Sequence, residues 1–135
     1  MEKIRVGSAV IVEKDGKILL GRRGKEPDFG AIIIPGGGVD MYEDFRETAK
    51  REILEEAGIE ITNLRQLGAY QIIRAEKQEH RVIIYWQADW KSGEVKSSSD
   101  LLDAKFYTRK ELQVELKNDK IKGITFDVLK DAKWI

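Results

Sequence analysis

The stretch that decides the fold is PGGGVDMYEDFRETAKREILEEAGI, residues 35–59. Its proline and three glycines follow an apolar run, and because they support neither a strand nor a helix, we expect the chain to turn there. Asp40 and Glu43 then have the spacing of a helix N-cap and its reciprocal partner, and Gly58 is placed as a C-terminal stop. Apolar residues recur every fourth position between these ends, which predicts one helix. They are Phe45, Ala49, Ile53 and Ala57.

Three glutamates share one face of this predicted helix. Glu52, Glu55 and Glu56 stand at i, i+3 and i+4, so their carboxylates project within about 100° of arc. No lysine or arginine occupies that arc, and a divalent cation would remove the repulsion; oxygen ligands suit Mg²⁺ or Mn²⁺. A backbone carbonyl at Gly36 or Gly37 can approach the same ion because no side chain is in the way. The alternative is an ordinary solvated face in a chain with 36% charged residues.

A longer spacing pattern contains these acids. It runs from Gly37 through Glu43 to the block at 51–59, which reads REILEEAGI. The pattern resembles the signature of the Nudix hydrolases at all nine of its specified positions. Two departures lie nearby: Tyr42 stands where the family usually has glycine, and Ile32 where many members have tryptophan. We expect both side chains to line the approach to the site and to affect substrate fit.

The resemblance implies a fold and a reaction. The implied fold is an α/β/α sandwich with a mixed β-sheet. The implied reaction is hydrolysis of a nucleoside diphosphate linked to another group, with Mg²⁺ as cofactor and Mn²⁺ as the alternative. Carried over by motif position, Glu55 and Glu56 are the principal metal ligands, and Glu52 is a ligand or the base that orients water. Gly36 supplies a carbonyl ligand.

Arg51 precedes the first of these glutamates in the motif. The resemblance gives it a supporting part in catalysis, in which its planar guanidinium fixes the carboxylates by charge-assisted hydrogen bonds. The alternative is a surface ion pair with Glu47 or Glu55, each one helical turn away.

Residues far from the helix are expected to complete the site. Members of the family often add an acidic group from a late loop, and Asp100 is the best candidate, with Glu94 and Asp103 as competitors. A solvated loop acid is the alternative for all three. Arg22 and Arg23 leave the second predicted strand toward the glycine turn, where a guanidinium can grip a phosphate with two hydrogen bonds. For one of the two, a solvated role is equally open.

The remaining chain predicts more strands and two C-terminal helices within a single domain, residues 1–135. Asp15-Gly16 suits the tight turn of an opening hairpin. Thr108 and Glu111 have capping-box spacing, and Thr125 is a candidate cap for a last helix. The order of elements indicates a mixed α/β sandwich rather than a regular βαβ wind. The predicted strands are 4–12, 17–20, 31–34, 64–74, 81–90 and 105–107.

Composition excludes several classes of function. The 135 residues include 24 Lys+Arg and 24 Asp+Glu, so a general nucleic-acid binder is disfavoured. Without cysteine there is no disulfide framework, thiolate zinc site, iron–sulfur cluster or catalytic thiol. Apolar runs are too short for a signal peptide or spanning helix, so we expect a cytoplasmic protein with no membrane partner. The single His80 receives no role, and a homodimer is left open.

The substrate is harder to predict than the reaction, since the motif builds the reaction centre and other parts of a fold read the base or sugar. Relatives that cleave ADP-ribose tend to carry a proline about fifteen residues past the motif, and those that cleave dinucleoside polyphosphates a tyrosine slightly further on. This chain has Arg74 and Glu76-Lys77 there. We therefore expect a nucleoside triphosphate, with ADP-ribose as the main alternative and a catalytically silent nucleotide-binding module as the second.

Overall fold

The computed structural model describes residues 2–135. Seven strands form one mixed sheet in the order β3-β2-β1-β6-β5, with β4 against β1 and β7 against β2. The strands are β1 (Arg5–Lys14), β2 (Lys17–Arg23), β3 (Ile32–Ile33), β4 (Gly36–Gly38), β5 (Glu60–Arg74), β6 (Glu79–Ser92) and β7 (Leu101–Tyr107). The helices are α1 (Phe45–Ala57), α2 (Arg109–Lys117) and α3 (Gly123–Asp131), and a short 3-10 helix, Ala75–Lys77, joins β5 to β6.

Strand β1 is the centre of the sheet. It runs parallel to β6 and antiparallel to β2 and β4. The predicted hairpin turn is confirmed: Lys14 pairs with Lys17, and Asp15 and Gly16 adopt φ values of 53° and 76°, the left-handed geometry that suits a two-residue turn. Side chains of β1 alternate between the faces of the sheet, so each face receives its own apolar set.

Two apolar clusters lie on opposite faces of the sheet. Val10 and Val12 of β1 pack with Ile53 of α1 on one face, whereas Ile11 packs with Leu129 of α3 on the other. Leu112 of α2 joins the second cluster, so α1 covers one face and the C-terminal helices cover the other. This arrangement confirms the expected α/β/α sandwich with a mixed sheet.

The glycine-rich turn is itself a strand, which corrects the sequence prediction. Gly36 to Gly38 pair with Ala9, Ser8 and Gly7 of β1. A β-carbon at Gly36 would lie only 2.5 Å from the Cα and Cβ atoms of Ala9. Glycine is weak in a strand because of its entropy, but here it permits a backbone approach that no side chain allows. The pairing places β4 beside α1.

Helix α1 ends as predicted but begins differently. Gly58 has φ 73° and its N–H donates to the Leu54 carbonyl at 3.0 Å, which confirms the predicted stop. The N-cap is Asp44, whose side chain accepts from the Arg46 N–H at 2.7 Å, and not Asp40 as predicted. Asp40 instead forms a turn with Glu43, the residue predicted to be its capping partner. The Asp40 carbonyl accepts a hydrogen bond from the Glu43 N–H at 3.0 Å.

The C-terminal helices confirm one predicted cap and correct another. Thr108 and Glu111 form the capping box of α2, each side chain bonding the other's backbone N–H at 3.0 Å. Helix α3 has Lys122 at its N-cap, without a side-chain hydrogen bond. Thr125 lies inside the helix and is buried, so the prediction that it caps the helix is wrong. No helix in residues 2–135 is long and apolar enough to cross a membrane.

Candidate active site

Arg51 lies at the centre of the acidic cluster on α1. Its guanidinium donates to both carboxylate oxygens of Glu43, at 2.8 and 2.9 Å, and to Oε1 of Glu52 at 2.8 Å. Further donors reach Glu55 at 3.4 Å and the Gly38 carbonyl at 3.1 Å. These hydrogen bonds, that to Glu43 above all, raise the pKa of Arg51 further above its usual range. The planar fork thereby joins the start of α1, its acidic face and β4.

Glu43 is held as a carboxylate by this network. Arg51 binds it on two sides, and the Thr48 hydroxyl donates to it at 2.6 Å. These hydrogen bonds lower the pKa of Glu43 to about 2. A charge fixed so firmly to an arginine has an orienting role. Glu47, the alternative partner for Arg51, instead lies 3.7 Å from Lys50.

Glu52 is packed against the glycine strand. A β-carbon at Gly37 would lie 2.5 and 2.6 Å from the two carboxylate oxygens of Glu52. The side chain of Glu52 is only 15% exposed, and Arg51 also donates to its carboxylate at 2.8 Å. Any larger residue at Gly37 would overlap the Glu52 carboxylate in its present position. The contact brings together the glycine turn and the helix of the motif.

Glu56 shares a site with Glu52. Burial, a hydrogen bond with Glu52 and the negative charges of Glu52 and Asp100 together raise the pKa of Glu56 to about 8. The backbone of Gly36 also bonds this carboxyl and acts in the opposite direction. Burial and the neighbouring negative charges thus disfavour the ionised form of Glu56. The structure brings together Glu52, Glu56, Gly36 and the charge of Asp100, although these residues come from three separate parts of the chain.

Glu55 stands apart from this pair. Its side chain is 59% exposed and faces Arg51. Within residues 2–135, no three Asp, Glu, His or Cys side chains are arranged as they would be around a bound metal ion. Glu52 and Glu56 are the two glutamates of the motif whose carboxyls lie together, whereas Glu55 is turned toward Arg51.

The competing late acids occupy different places. Asp100 is exposed immediately before β7 and acts electrostatically on Glu56. Asp103 lies within β7, where its carboxylate is 3.6 Å from the Arg22 Nε. Glu94 is exposed, and its backbone lies beside Gly58 at the end of α1. Of the three, Asp100 is the one whose charge reaches the Glu52–Glu56 pair.

Arg22 is not aimed at the glutamates. Its Nη2 donates to both carboxylate oxygens of the buried Glu115 of α2, and its Nη1 donates to the Gly30 carbonyl at 3.2 Å. It lines a surface hollow of about 470 Å³ together with Tyr107. The structure therefore argues against the predicted phosphate contact for Arg22. Arg22 and Arg23 are consecutive in β2 and therefore face opposite sides of the sheet. The pairing of Arg22 with Glu115 of α2 cannot be predicted from the local sequence.

Arg23 lines a second cleft, which reaches the glycine strand. The cleft has a volume of about 420 Å³ and includes Gly36 and Gly37 in its wall. Arg23 donates to the Pro27 carbonyl at 2.7 Å at its rim. Four cationic side chains and two acidic ones line the cleft. They are Arg23, Arg74, Arg81 and Lys122, with Asp28 and Glu79.

The interior of this cleft contains two residues, Tyr85 and Thr125, for which the sequence predicted no role in the site. Tyr85 of β6 and Thr125 of α3 line it, as does Ile32. Alternation along β6 places positions 81, 83 and 85 on one face, and that pattern was the available signal. Ile32 lies in the wall of the cleft, as expected from the sequence. Tyr42 is 99% exposed and lines neither hollow, so the expectation that it borders the approach is wrong.

Comparisons with known proteins agree with this geometry. A family model described as the NUDIX domain matches residues 1–128. An ADP-ribose pyrophosphatase of Methanocaldococcus jannaschii is 36% identical over 97 residues, 72% of this chain and 57% of that protein. A CTP pyrophosphohydrolase of Escherichia coli is 41% identical over 76 residues, 56% of this chain and 53% of that protein.

A solved structure supports the same likeness. The crystal structure of a MutT NUDIX hydrolase from Burkholderia pseudomallei has a TM-score of 0.75 and 29% identity, and the match covers 90% of this chain and 100% of that one. The two relatives found by sequence are longer: the chain spans 57% and 53% of their lengths.

Proposed function

The chain belongs to the NUDIX family, and from that premise we propose that it hydrolyses a nucleoside triphosphate between the α and β phosphates, releasing the monophosphate and pyrophosphate. The observation that carries the proposal is the Glu52–Glu56 pair packed against the glycine strand. Two crowded, largely buried carboxyls form a place where a divalent cation can stabilise the negative charges that otherwise repel each other. The family match over residues 1–128 supports a single catalytic domain.

Mg²⁺ is the cation we propose for this site, with Mn²⁺ as the alternative. The donors are hard oxygens, which these ions prefer. Glu52, Glu56 and the Gly36 carbonyl would hold the cation, and Glu55 would join after turning from Arg51. When bound, such a cation neutralises the negative charge of the anhydride and lowers the pKa of an attacking water.

The side chains of the chain itself orient the reaction. Arg51 fixes Glu52 through the 2.8 Å hydrogen bond and is itself anchored by Glu43, so it acts as a positioning residue. Glu52 is a ligand or the base that orients the water. Asp100 adds a negative charge on the side of Glu56, which suits either a further ligand or a proton acceptor.

The charges of the cleft favour a triphosphate. Its lining carries two more positive than negative side chains. Lys122 lies 3.5 Å from Asp28 and Arg74 lies 3.3 Å from Glu79, and Arg81 has no ion pair among the described residues. An unpaired arginine beside a nucleotide cleft complements added phosphate charge. We propose Arg23 as the phosphate contact because it lines this cleft. Arg22 is not proposed, because its guanidinium is bonded to Glu115.

Two alternatives remain to be tested against this proposal. One relative is named an ADP-ribose pyrophosphatase, and ADP-ribose presents its diphosphate to the same glutamates. A nucleotide-binding module without turnover is the other alternative. A module that only binds a nucleotide does not require Glu52 to contact both Glu56 and Arg51. These contacts therefore support an enzyme.

The test is a panel of substrates with and without Mg²⁺. We expect kcat/KM for at least one nucleoside triphosphate to exceed that for ADP-ribose, because this ratio measures differential binding of the transition state. Products should be the monophosphate and pyrophosphate, identified by chromatography. Formation of a diphosphate and inorganic phosphate would refute the α–β cleavage. A tenfold preference for ADP-ribose would refute the substrate while leaving the glutamate chemistry intact, and binding without turnover would favour the module.

A further inference from the structure

Two residues that line the cleft have hydroxyl groups without a hydrogen-bond partner among residues 2–135. Tyr85 and Thr125 are 4% and 7% exposed, and both line the cleft. Neither hydroxyl forms a hydrogen bond with any residue in the range 2–135. Ser98 Oγ is the one side-chain polar atom of that range that is fully enclosed without a partner, so the hydroxyls of Tyr85 and Thr125 keep some accessible surface, and both residues line the cleft. Buried polar groups are usually bonded, and an exception calls for an explanation.

Comparable residues elsewhere in the fold are satisfied. Tyr70 packs edge-to-face on Tyr85 with ring centroids 5.4 Å apart, and its hydroxyl donates to Asp131 at 2.6 Å. Thr48, like Thr125, is a buried helical threonine, and its hydroxyl donates to Glu43. Phenylalanine at position 85 would keep the packing without an unpaired oxygen. The hydroxyl of Tyr85 therefore has no use within the fold itself.

The two hydroxyls lie where the nucleoside part of a substrate would extend. Gly36, Ala9 and Tyr85 occupy one row across β4, β1 and β6. Neighbouring strands are about 4.8 Å apart, so the backbone of Tyr85 is roughly 10 Å from that of Gly36. That separation is comparable to the reach from the phosphate to the base of an extended nucleotide. Gly36 and Tyr85 also line the same cleft, so a nucleotide with its phosphate at the glycine strand can place its base beside Tyr85.

The surroundings suit a planar heterocycle. Ile32, Ile83 and Ile124 line the same cleft and offer apolar contact to the faces of a ring. Each hydroxyl can both donate and accept a hydrogen bond, which suits the mixed edge of a base. We propose that Tyr85 and Thr125 are specificity-determining residues that hydrogen-bond the edge of the substrate's nucleobase. This inference rests on the proposed function, because it takes the substrate to be a nucleotide.

The experiment measures binding of reaction products, which are not consumed. AMP, GMP, CMP, UMP and ribose 5-phosphate are titrated calorimetrically into the protein with saturating Mg²⁺. We expect the parent to bind at least one nucleotide about tenfold more tightly than ribose 5-phosphate. Tyr85→Phe and Thr125→Val should each reduce that ratio about threefold to tenfold, the effect of one hydrogen bond, with ribose 5-phosphate itself unchanged.

Tyr70→Phe is the matched control, because it removes the hydroxyl of a neighbouring tyrosine that is already bonded to Asp131. It should lower Tm and leave the nucleotide preference unchanged, whereas Tyr85→Phe should leave Tm unchanged or higher. A parent without base preference, or an unchanged ratio in both variants, overturns the inference, as does a loss of Tm in Tyr85→Phe. If base preference follows the prediction but no triphosphate is hydrolysed, the proposed reaction fails and the subsite stands. If a triphosphate is hydrolysed but the nucleotides bind no more tightly than ribose 5-phosphate, only the proposed base subsite is refuted.

Discussion

Replacement of Gly37 by alanine tests the link between the glycine strand and the acidic helix. The added β-carbon would lie 2.5 and 2.6 Å from the Glu52 carboxylate oxygens, and ordinary contacts begin at about 3.4 Å. The carboxylate carbon of Glu52 is nearer still, at 2.3 Å, so the group must retreat by about 1.1 Å. The same movement lengthens its 2.8 Å hydrogen bond from Arg51 and separates it from Glu56. Misplacement of a reacting group by about 1 Å can cost about 10²-fold in rate, and we expect a loss of that size in kcat.

Stability should change much less than activity. The atoms displaced are the end of a flexible side chain, and the ion pair with Arg51 is worth about 1 kcal/mol or less. Alanine in place of glycine also reduces the entropy of the unfolded chain by a similar amount of free energy. We therefore expect Gly37→Ala to alter the free energy of unfolding by no more than about 1 kcal/mol, measured by urea denaturation beside the kinetics.

Gly38→Ala provides the matched control for this substitution. It lies in the same strand, but a β-carbon there meets nothing within 4 Å. The control should retain the parent's kcat and KM. Equal activity of Gly37→Ala and the parent would refute the reasoning, because it would mean that the position of the Glu52 carboxylate does not matter. Equal losses in both alanine variants would refute it too, since they would point to strand flexibility.

Four further outcomes are expected. Glu56→Gln should lower kcat/KM by roughly 10²-fold or more at limiting Mg²⁺, and parent-like turnover would contradict its assignment as a ligand. Asp100→Asn should lower turnover without lowering Tm, while Asp103→Asn, whose carboxylate faces Arg22, should not; the reverse pattern would move the role. Tyr42→Gly should stabilise the fold by about 1 kcal/mol, because Tyr42 is fully exposed with φ 67°, a left-handed conformation that favours glycine; a lower Tm would show a hidden contact. Glu43 has a folded pKa lowered to about 2, so its stabilising effect is complete above its ordinary value and is lost as the pH falls from about 5 toward 2. The Tm difference between the parent and Glu43→Gln should therefore shrink in acid, and a constant difference would contradict the ion pair.

Local patterns were sufficient for the helix that carries the chemistry. Ala49, Ile53 and Ala57 recur every fourth residue, a pattern that depends only on helical geometry. Gly58 ends the helix because glycine readily adopts the left-handed conformation required there. The same holds for the turn at Asp15-Gly16 and the box at Thr108. The start of α1 was placed wrongly because Asp40 and Asp44 are both competent caps. In the fold, Asp44 is the cap, and the Ser8 hydroxyl of β1 joins the start of the helix to the sheet by donating to the Phe45 carbonyl at 2.9 Å.

What the amino-acid sequence by itself determined was the acidic face, its spacing from the glycines and the α/β class, because these follow from short-range periodicity and turn chemistry. Only the tertiary structure decided that the glycines form a strand, that Glu52 lies against Gly37, and that Arg22 pairs with Glu115 rather than with a phosphate. It also decided that two hydroxyls from β6 and α3 meet in one cleft. Contacts of this kind join residues far apart in the chain, and their geometry depends on strand register and helix packing, on which local sequence carries little information.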